Sequence, residues 1–283
     1  MQGVFVGAAT LDLHYLLPAA RSRNSKGPAT RFGMYAGGPA ANAAVTFAHL
    51  GGTARLYAEV GSHHLGWTIA AELASRRVEL IDMTPGSQDP PMLSSVFSFD
   101  GIGDRMAVSS RYPHEGVAET LPGSLPEGTA VVMVDGFLRG PCRDAVSQAA
   151  RTGATVVLDG GSWKPGMEDL LALVDVAVCS ADFHPPGTAD HEAALDYLQD
   201  RGIARVAVTR GEAPVLYRDG ADHGEIPVDD VPVADTLGAG DVLHGAFCWH
   251  LASRRPFVAA LTEAAAVATR SCRSFGTRAW MEG

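Results

Sequence analysis

Cysteine, basic charge and long apolar runs are all scarce in this chain, and each scarcity removes a class of protein. Its four cysteines, Cys142, Cys179, Cys248 and Cys272, form no CxxC pair and no Cys/His group at zinc-ligand spacing. That argues against a disulfide scaffold, a zinc ribbon or a dithiol redox centre, and the four read as reduced, mostly buried thiols of a cytoplasmic protein. The histidines are dispersed, and His63, His64 and His244 show no metal spacing, so surface or core roles are expected of them. No stretch approaches the roughly 18 uninterrupted apolar residues of a membrane span. The opening "MQGVFVGAATLDLHYLL" lacks a basic leader and is interrupted by Asp12, so it does not read as a signal peptide. Lysine and arginine together number 22 against 32 acidic residues, a formal net charge of −10. Neither nucleic acid nor an anionic membrane is therefore the expected partner. The chain also lacks the phosphate loop G-x-x-x-x-G-K-[ST] and the hydrolase elbow G-x-S-x-G.

What is present is an ordinary globular composition, with 46% apolar and 19% charged residues among 283. That length suits one large domain, or one with a small appendage. "GVFVGAA" reads as a buried strand, and "PAANAAVTFAHL" as an alanine-rich helix closed by Gly51 and Gly52. Between them, "PAARSRNSKGPATRFGMYAGG" is polar and turn-rich, a loop or small exposed ribbon. From about Val78 to Pro122 the alternation is weaker and contains a glycine-bearing turn, which suggests a small accessory antiparallel sheet. After Pro122 a strand–helix rhythm takes over: "TAVVMVDG", "ATVVLDGG", "VAVCS" and "ARVAVTRG" are strands, separated by helical segments that include "GMEDLLALVD". Val-rich strands alternating with helices predict an α/β protein whose mainly parallel sheet is covered on both faces. Ligands of such folds sit beyond the carboxyl ends of the strands, where Asp12, Asp159, Ser180 and Gly211 are expected.

The most informative stretch is "DTLGAGD", Asp235 to Asp241, followed by the apolar helix "VLHGAFCWHLA". Gly238, Ala239 and Gly240 let their amides approach a ligand closely, and at a helix start those amides lack internal partners and favour an anion. Asp241 then lies beside the same pocket, poorly suited to bind phosphate but well suited to accept a hydroxyl proton. The plainer alternative is that Asp235 or Asp241 caps the helix and the glycines merely turn the chain. Upstream, in "AGGPAANAA", Gly37 and Gly38 allow close backbone approach, and Asn42 offers a donor and an acceptor to a polyol.

"DTLGAGDVLHGAF" resembles the C-terminal signature of the ribokinase-like (PfkB) carbohydrate kinase family, and "GGPAANAAVTFAHLGG" is similar to its N-terminal signature. The resemblance spans essentially the whole chain. It implies one three-layer α/β/α domain over residues 1–283, with a small β-sheet lid expected from segments 12–36 and 90–113. It implies transfer of the γ-phosphoryl group of ATP to a primary hydroxyl of a sugar, with a ketose or ketose derivative favoured over ribose or a nucleoside. Asp241 would be the catalytic base, the amides of Gly238, Ala239 and Gly240, with that of Asp241, the anion hole, and Asp12, with Gly37, Gly38 and Asn42, the sugar site. Thr209, Arg210, Gly211 and Gly276 would border the nucleotide. Relatives commonly carry N-x-x-E, whose glutamate organises Mg²⁺ through waters, where this chain has Ser180, Ala181, Asp182 and Phe183. Asp182 or Asp159 is then the expected carboxylate, since magnesium needs only one or two besides waters and phosphate oxygens. The lost glutamate also supports an alternative, a catalytically weak or inactive member acting as a sugar- or nucleotide-binding regulatory subunit. Asp235 and Leu237 lie where relatives hold a monovalent cation such as K⁺, and a homodimer through the lid is the oligomeric state the resemblance implies.

Overall fold

Strands that are apolar at every position need cover on both faces, and the central strands here show why. In Thr129–Val134, Val131 and Met133 join one core while Val132 and Val134 join another on the opposite face. The structure, a computed structural model, describes residues 1–18, 26–100, 105–110 and 117–282. In chain order its strands are β1 (Gln2–Val6), β2 (Thr10–Leu17), β3 (Arg31–Gly37), β4 (Thr53–Ala58), β5 (Val78–Asp82), β6 (Leu93–Phe99), β7 (Arg105–Ser109) and β8 (Thr129–Val134). They continue with β9 (Thr155–Gly160), β10 (Val176–Ser180), β11 (Arg205–Arg210), β12 (Ala213–Asp219) and β13 (Asp222–Ile226). The helices are α1 (Pro39–His49), α2 (His64–Ser75), α3 (Arg139–Thr152), α4 (Glu168–Leu171), α5 (His191–Gln199), α6 (Ala239–Ala252) and α7 (Phe257–Ser271).

Nine strands form the large sheet in the order β13-β12-β11-β10-β9-β8-β1-β4-β5. From β11 to β5 every neighbouring pair is parallel, and β12 and β13 are added antiparallel at one edge. The chain leaves β1 towards β4 on one side and resumes at β8 on the other. The crevice beyond the ends of β1 and β8 is thus a topological switch point, where open α/β sheets place ligands. Helices α1, α2, α6 and α7 cover one face of the sheet, and α3, α4 and α5 the other. Among the described residues no helix is long and apolar enough to cross a membrane.

A second sheet, in the order β3-β2-β6-β7, stands apart from the first. The residue pattern leaves β2 unread and sets Asp12 just past a strand; the structure places it inside β2, paired with Tyr35 and Ser94. The reason is an inner face that carries polar groups: Asp12, His14, Ser94 and Ser98 are all buried, so the alternation does not look amphipathic. Of the segments expected to form a lid, residues 19–25, 101–104 and 111–113 lie outside the described residues, as does the glycine-bearing turn. The helix expected over 166–175 is reduced to the four residues of α4.

Candidate active site

The site starts at the glycine before α6. Gly238 has φ 72°, a left-handed conformation that side chains resist, and it opens the helix without a side-chain cap. Neither Asp235 nor Asp241 therefore caps α6. Val242 closes the first turn by donating to the Gly238 carbonyl at 2.8 Å, and the Ala239 amide donates to the Thr236 carbonyl at 3.3 Å. The amides of Gly238, Gly240 and Asp241 have no acceptor among the described residues. Gly240 is exposed, and a Cβ built there would meet nothing within 4 Å. Three main-chain donors at the positive end of a helix thus lie free for an anion. Ala239, expected among them, is already weakly engaged.

Asp241 follows in the same turn. Its Oδ2 accepts a hydrogen bond of 2.7 Å from Asn42 Nδ2 on α1. The residue is half-buried, and loss of hydration is the main cause that raises its carboxyl to about 7. The Asp159 charge pushes the same way, while the Asn42 hydrogen bond and His244 oppose both. The two helices meet because Gly245 has no side chain: a Cβ there would lie 2.3 Å from the Ala43 carbonyl and 2.6 Å from Thr46 Cβ. Gly245→Leu should therefore lower stability by about 1–3 kcal/mol, as over-packing does. The denaturant midpoint measures it; an unchanged midpoint would show that α1 and α6 can part freely.

Around this pair the structure gathers the expected sugar residues. Asp12 is buried, accepts a hydrogen bond of 2.5 Å from Thr10 Oγ1, and is raised by burial to about 6. Gly37 leaves the space that this carboxylate occupies, since a Cβ there would lie 1.9 Å from Asp12 Oδ2. Gly38, at φ 94°, lets α1 approach the Ala8 carbonyl, only 2.5 Å from its Cβ position. Asn42 differs from expectation in its partners. Its amide is held on both sides by protein, with Nδ2 on Asp241 and Oδ1 accepting from Arg278 Nη1 at 2.9 Å.

Three further residues were not read as functional. Arg278 is buried and also meets Glu72 and the Ala36 carbonyl. Tyr35 lies against Gly276, whose Cβ position is 2.2 Å from its hydroxyl. His244, expected to be a bland core or surface residue, has Nδ1 2.8 Å from the Gly240 carbonyl and Nε2 3.0 Å from that of Val178, with Asp159 at 3.6 Å. Burial opposes its charging, but Asp159 and the two carbonyls outweigh burial and raise its pKa. Its position three residues after Asp241 was the available signal, because such residues share a helix face.

The pattern of the pfkB family of carbohydrate kinases matches residues 3–282. The chain belongs to that family. The ribokinase of Lactococcus lactis is 31% identical over 88 residues, a stretch covering 31% of this chain and 29% of that protein. The chain's match thus spans under a third of that curated relative. A candidate ribokinase of Agrobacterium tumefaciens superposes with a TM-score of 0.86 at 24% identity, covering 99% of this chain and 94% of the other. The adenosine kinase of Sinorhizobium meliloti gives 0.77 at 20% identity, covering 98% and 95%. These two likenesses establish the ribokinase-like fold.

Against the pfkB pattern the remaining expected residues fall into two groups. Asp159, at the end of β9, is buried beside His244, and its carboxylate takes no hydrogen bond from the described residues. Asp182 is exposed, and Phe183, where relatives commonly carry glutamate, is 1% exposed and packs edge-on against Trp163 in the α3 core. On the nucleotide side, Gly211 is open, at φ 65°, and Thr209 donates to the Cys179 carbonyl at 3.3 Å. Arg210 is drawn away into the edge hairpin, bound to the Pro214 carbonyl at 2.8 Å and to Glu225 at 3.3 Å. Gly276 is buried beneath Tyr35 and donates to Asp235 Oδ2 at 2.8 Å. The other oxygen of Asp235 accepts from Leu237 N at 3.1 Å and Ser98 Oγ at 3.4 Å, and Arg105 donates to the Thr236 carbonyl at 2.7 Å.

Proposed function

We propose that this chain is an ATP-dependent carbohydrate kinase in which Asp241 is the general base. The observation that carries the reading is a carboxylate with one oxygen fixed by Asn42, in the same turn as three unpaired amides at a helix start, one of them its own. The sugar's primary hydroxyl would lie between Asp12 and Asp241. As its oxygen attacks the γ-phosphorus in line, its proton passes to Asp241 and ADP departs. The free amides of Gly238, Gly240 and Asp241 receive the charge on the phosphoryl oxygens, and being fixed beforehand they need no reorganisation. A carboxyl raised to about 7 suits proton acceptance near neutral pH.

Magnesium would be held through waters at Asp159, a buried carboxylate whose charged neighbour is His244 at 3.6 Å. The ion would neutralise the phosphate charges of ATP. A monovalent cation would be held by the backbone around Asp235 and Leu237, which the Asp235 carboxylate braces by accepting from Leu237 N, Ser98 Oγ and Gly276 N; no step is assigned to it. Thr209 and Gly211 are the residues we assign to the nucleotide side. The four-stranded sheet is read as the lid, since Asp12 comes from it and His14 and Ser98 reach Asp235 across the cleft.

The outer face of that sheet favours a second copy of the chain as partner. Phe32, Tyr15, Phe97 and Met106 form one cross-strand row, and Met34, Leu13, Ser95 and Val108 the next. Phe32, Met34, Met106 and Val108 are each about half exposed, from 47% to 57%, an unusual concentration of apolar surface. The two rows carry no charged side chain, so a self-complementary dimer buries this face best. Phe32→Glu with Val108→Asp should convert a dimer to a monomer in light scattering. A wild-type monomer at micromolar concentration would refute this part.

The test of function is ATP consumption across ribose, deoxyribose, ketoses and their derivatives, and nucleosides. The acceptor we favour from the sequence is a ketose; the ribokinase relatives put ribose first among the alternatives. Binding of ATP without turnover on any alcohol would instead support the regulatory-subunit reading, for which buried Phe183 is the one observation.

A further inference from the structure

Asn42 is the only protein donor to the Asp241 carboxylate among the described residues, and an amide can face a carboxylate in two ways. With its nitrogen inward it donates; flipped, it sets oxygen against oxygen. Which way it faces depends on what holds its other end. Here Arg278 Nη1 donates to Asn42 Oδ1 at 2.9 Å, a group that only the carbonyl end can satisfy. The guanidinium is itself immobile: it is 4% exposed, its Nε donates to Glu72 Oε1 at 3.0 Å, and its remaining arms reach the Ala36 and Thr277 carbonyls. Glu72 Oε2 in turn accepts from the Ala36 amide at the end of β3.

We propose that Arg278 is a positioning residue for phosphoryl transfer, locking the Asn42 amide so that it holds Asp241 Oδ2 and leaves Oδ1 free for the sugar hydroxyl. The inference rests on the kinase reading and adds to it a residue far from either signature. Arg278 touches neither the base nor the phosphate-binding amides; its charge, which lysine would preserve, bears on Asp12, while its contact towards Asp241 runs through Asn42. It also ties the C-terminal segment and the end of β3, where Gly37 meets Asp12, to the same base. A change at either place is thereby felt at Asp241. The three elements come from the chain's start, its second helix and its last residues.

A double-mutant cycle tests this with Asn42→Ala and Arg278→Lys, in the full-length protein with saturating ATP and its best acceptor. Lysine keeps the buried charge beside Glu72 but lacks the fork that spans Glu72, Ala36 and Asn42 at once. Each single variant should lower kcat by roughly ten- to a hundredfold, as misplaced catalytic groups do, with KM for ATP little changed. On the Asn42→Ala background, Arg278→Lys should cost almost nothing more, because the two act in series. A full further loss there, or no loss in the single variant, would overturn the proposal. Should Arg278→Lys fail to fold, Glu72→Gln releases the same guanidinium and takes its place in the cycle. Carbon-13 titration of the Asp241 carboxyl separates this from failure of the kinase reading, since it needs no turnover. Both single variants should raise its midpoint, and an Arg278→Lys midpoint equal to wild type would sink the relay.

Discussion

Asp241→Asn is expected to lower kcat by about 10²–10⁴, the usual worth of a positioned base, with the KM for ATP little changed. The asparagine preserves shape and can still meet Asn42, so folding and nucleotide binding should survive while proton acceptance does not. The pH dependence gives a second handle on the same group. Burial first, then the charge of Asp159, raises the Asp241 carboxyl to about 7. The base works only when deprotonated, so wild-type kcat should fall as pH drops through about 7 and level off above it. Initial rates from ADP-coupled assays on either side of that value measure the limb. In Asp241→Asn the residual rate should lose that limb altogether. Near-normal turnover in the variant, or an unchanged limb, would remove Asp241 from the role of base.

The difference between what was legible and what was not follows the distance along the chain. The helix start with its free amides could be read from "DTLGAGD" because the glycines and the carboxylate lie within a single turn, so local geometry alone brings them together. The parallel sheet was readable for a similar reason: strands covered on both faces are apolar throughout. Asn42 was visible as a polar residue in an alanine-rich helix, yet its partner is 199 positions away, and only the close packing at Gly245 brings the two within 2.7 Å. Arg278 belongs to no local pattern; an arginine near a chain's end is ordinarily a solvated charge, and its burial is a fact of tertiary structure. The second sheet was expected from the weak alternation after Val78, but its strand β2 was hidden by its own chemistry. A strand whose inner face carries Asp12 and His14 reads as polar, because the face it buries holds polar side chains rather than an oily core. Arg210 shows the opposite case, a residue well placed in sequence whose guanidinium is captured by the neighbouring hairpin.

The second large effect expected comes from removing one main-chain donor without touching any side chain. Gly240 lies in the first turn of α6, where a proline ring is tolerated because the lost N–H has no helical acceptor. Its φ is not positive, and a Cβ there would meet no atom within 4 Å beyond its chain neighbours and its own helix's backbone, so the Cβ side of the ring has room. Gly240→Pro should thus leave the melting temperature close to wild type while deleting one of the three free amides. If that amide stabilises the transferred phosphoryl group, kcat should fall by about 10²–10³, as for other preorganised anion donors. Gly240→Ala is the matched control: it adds a methyl, keeps the N–H, and should retain most of the activity. The comparison isolates the hydrogen, since bulk alone predicts that proline and alanine behave alike. Equal, small losses in both variants would mean that this amide faces solvent throughout the reaction. A loss in proline alone places the developing charge at the start of α6, one residue from the carboxylate that takes the proton.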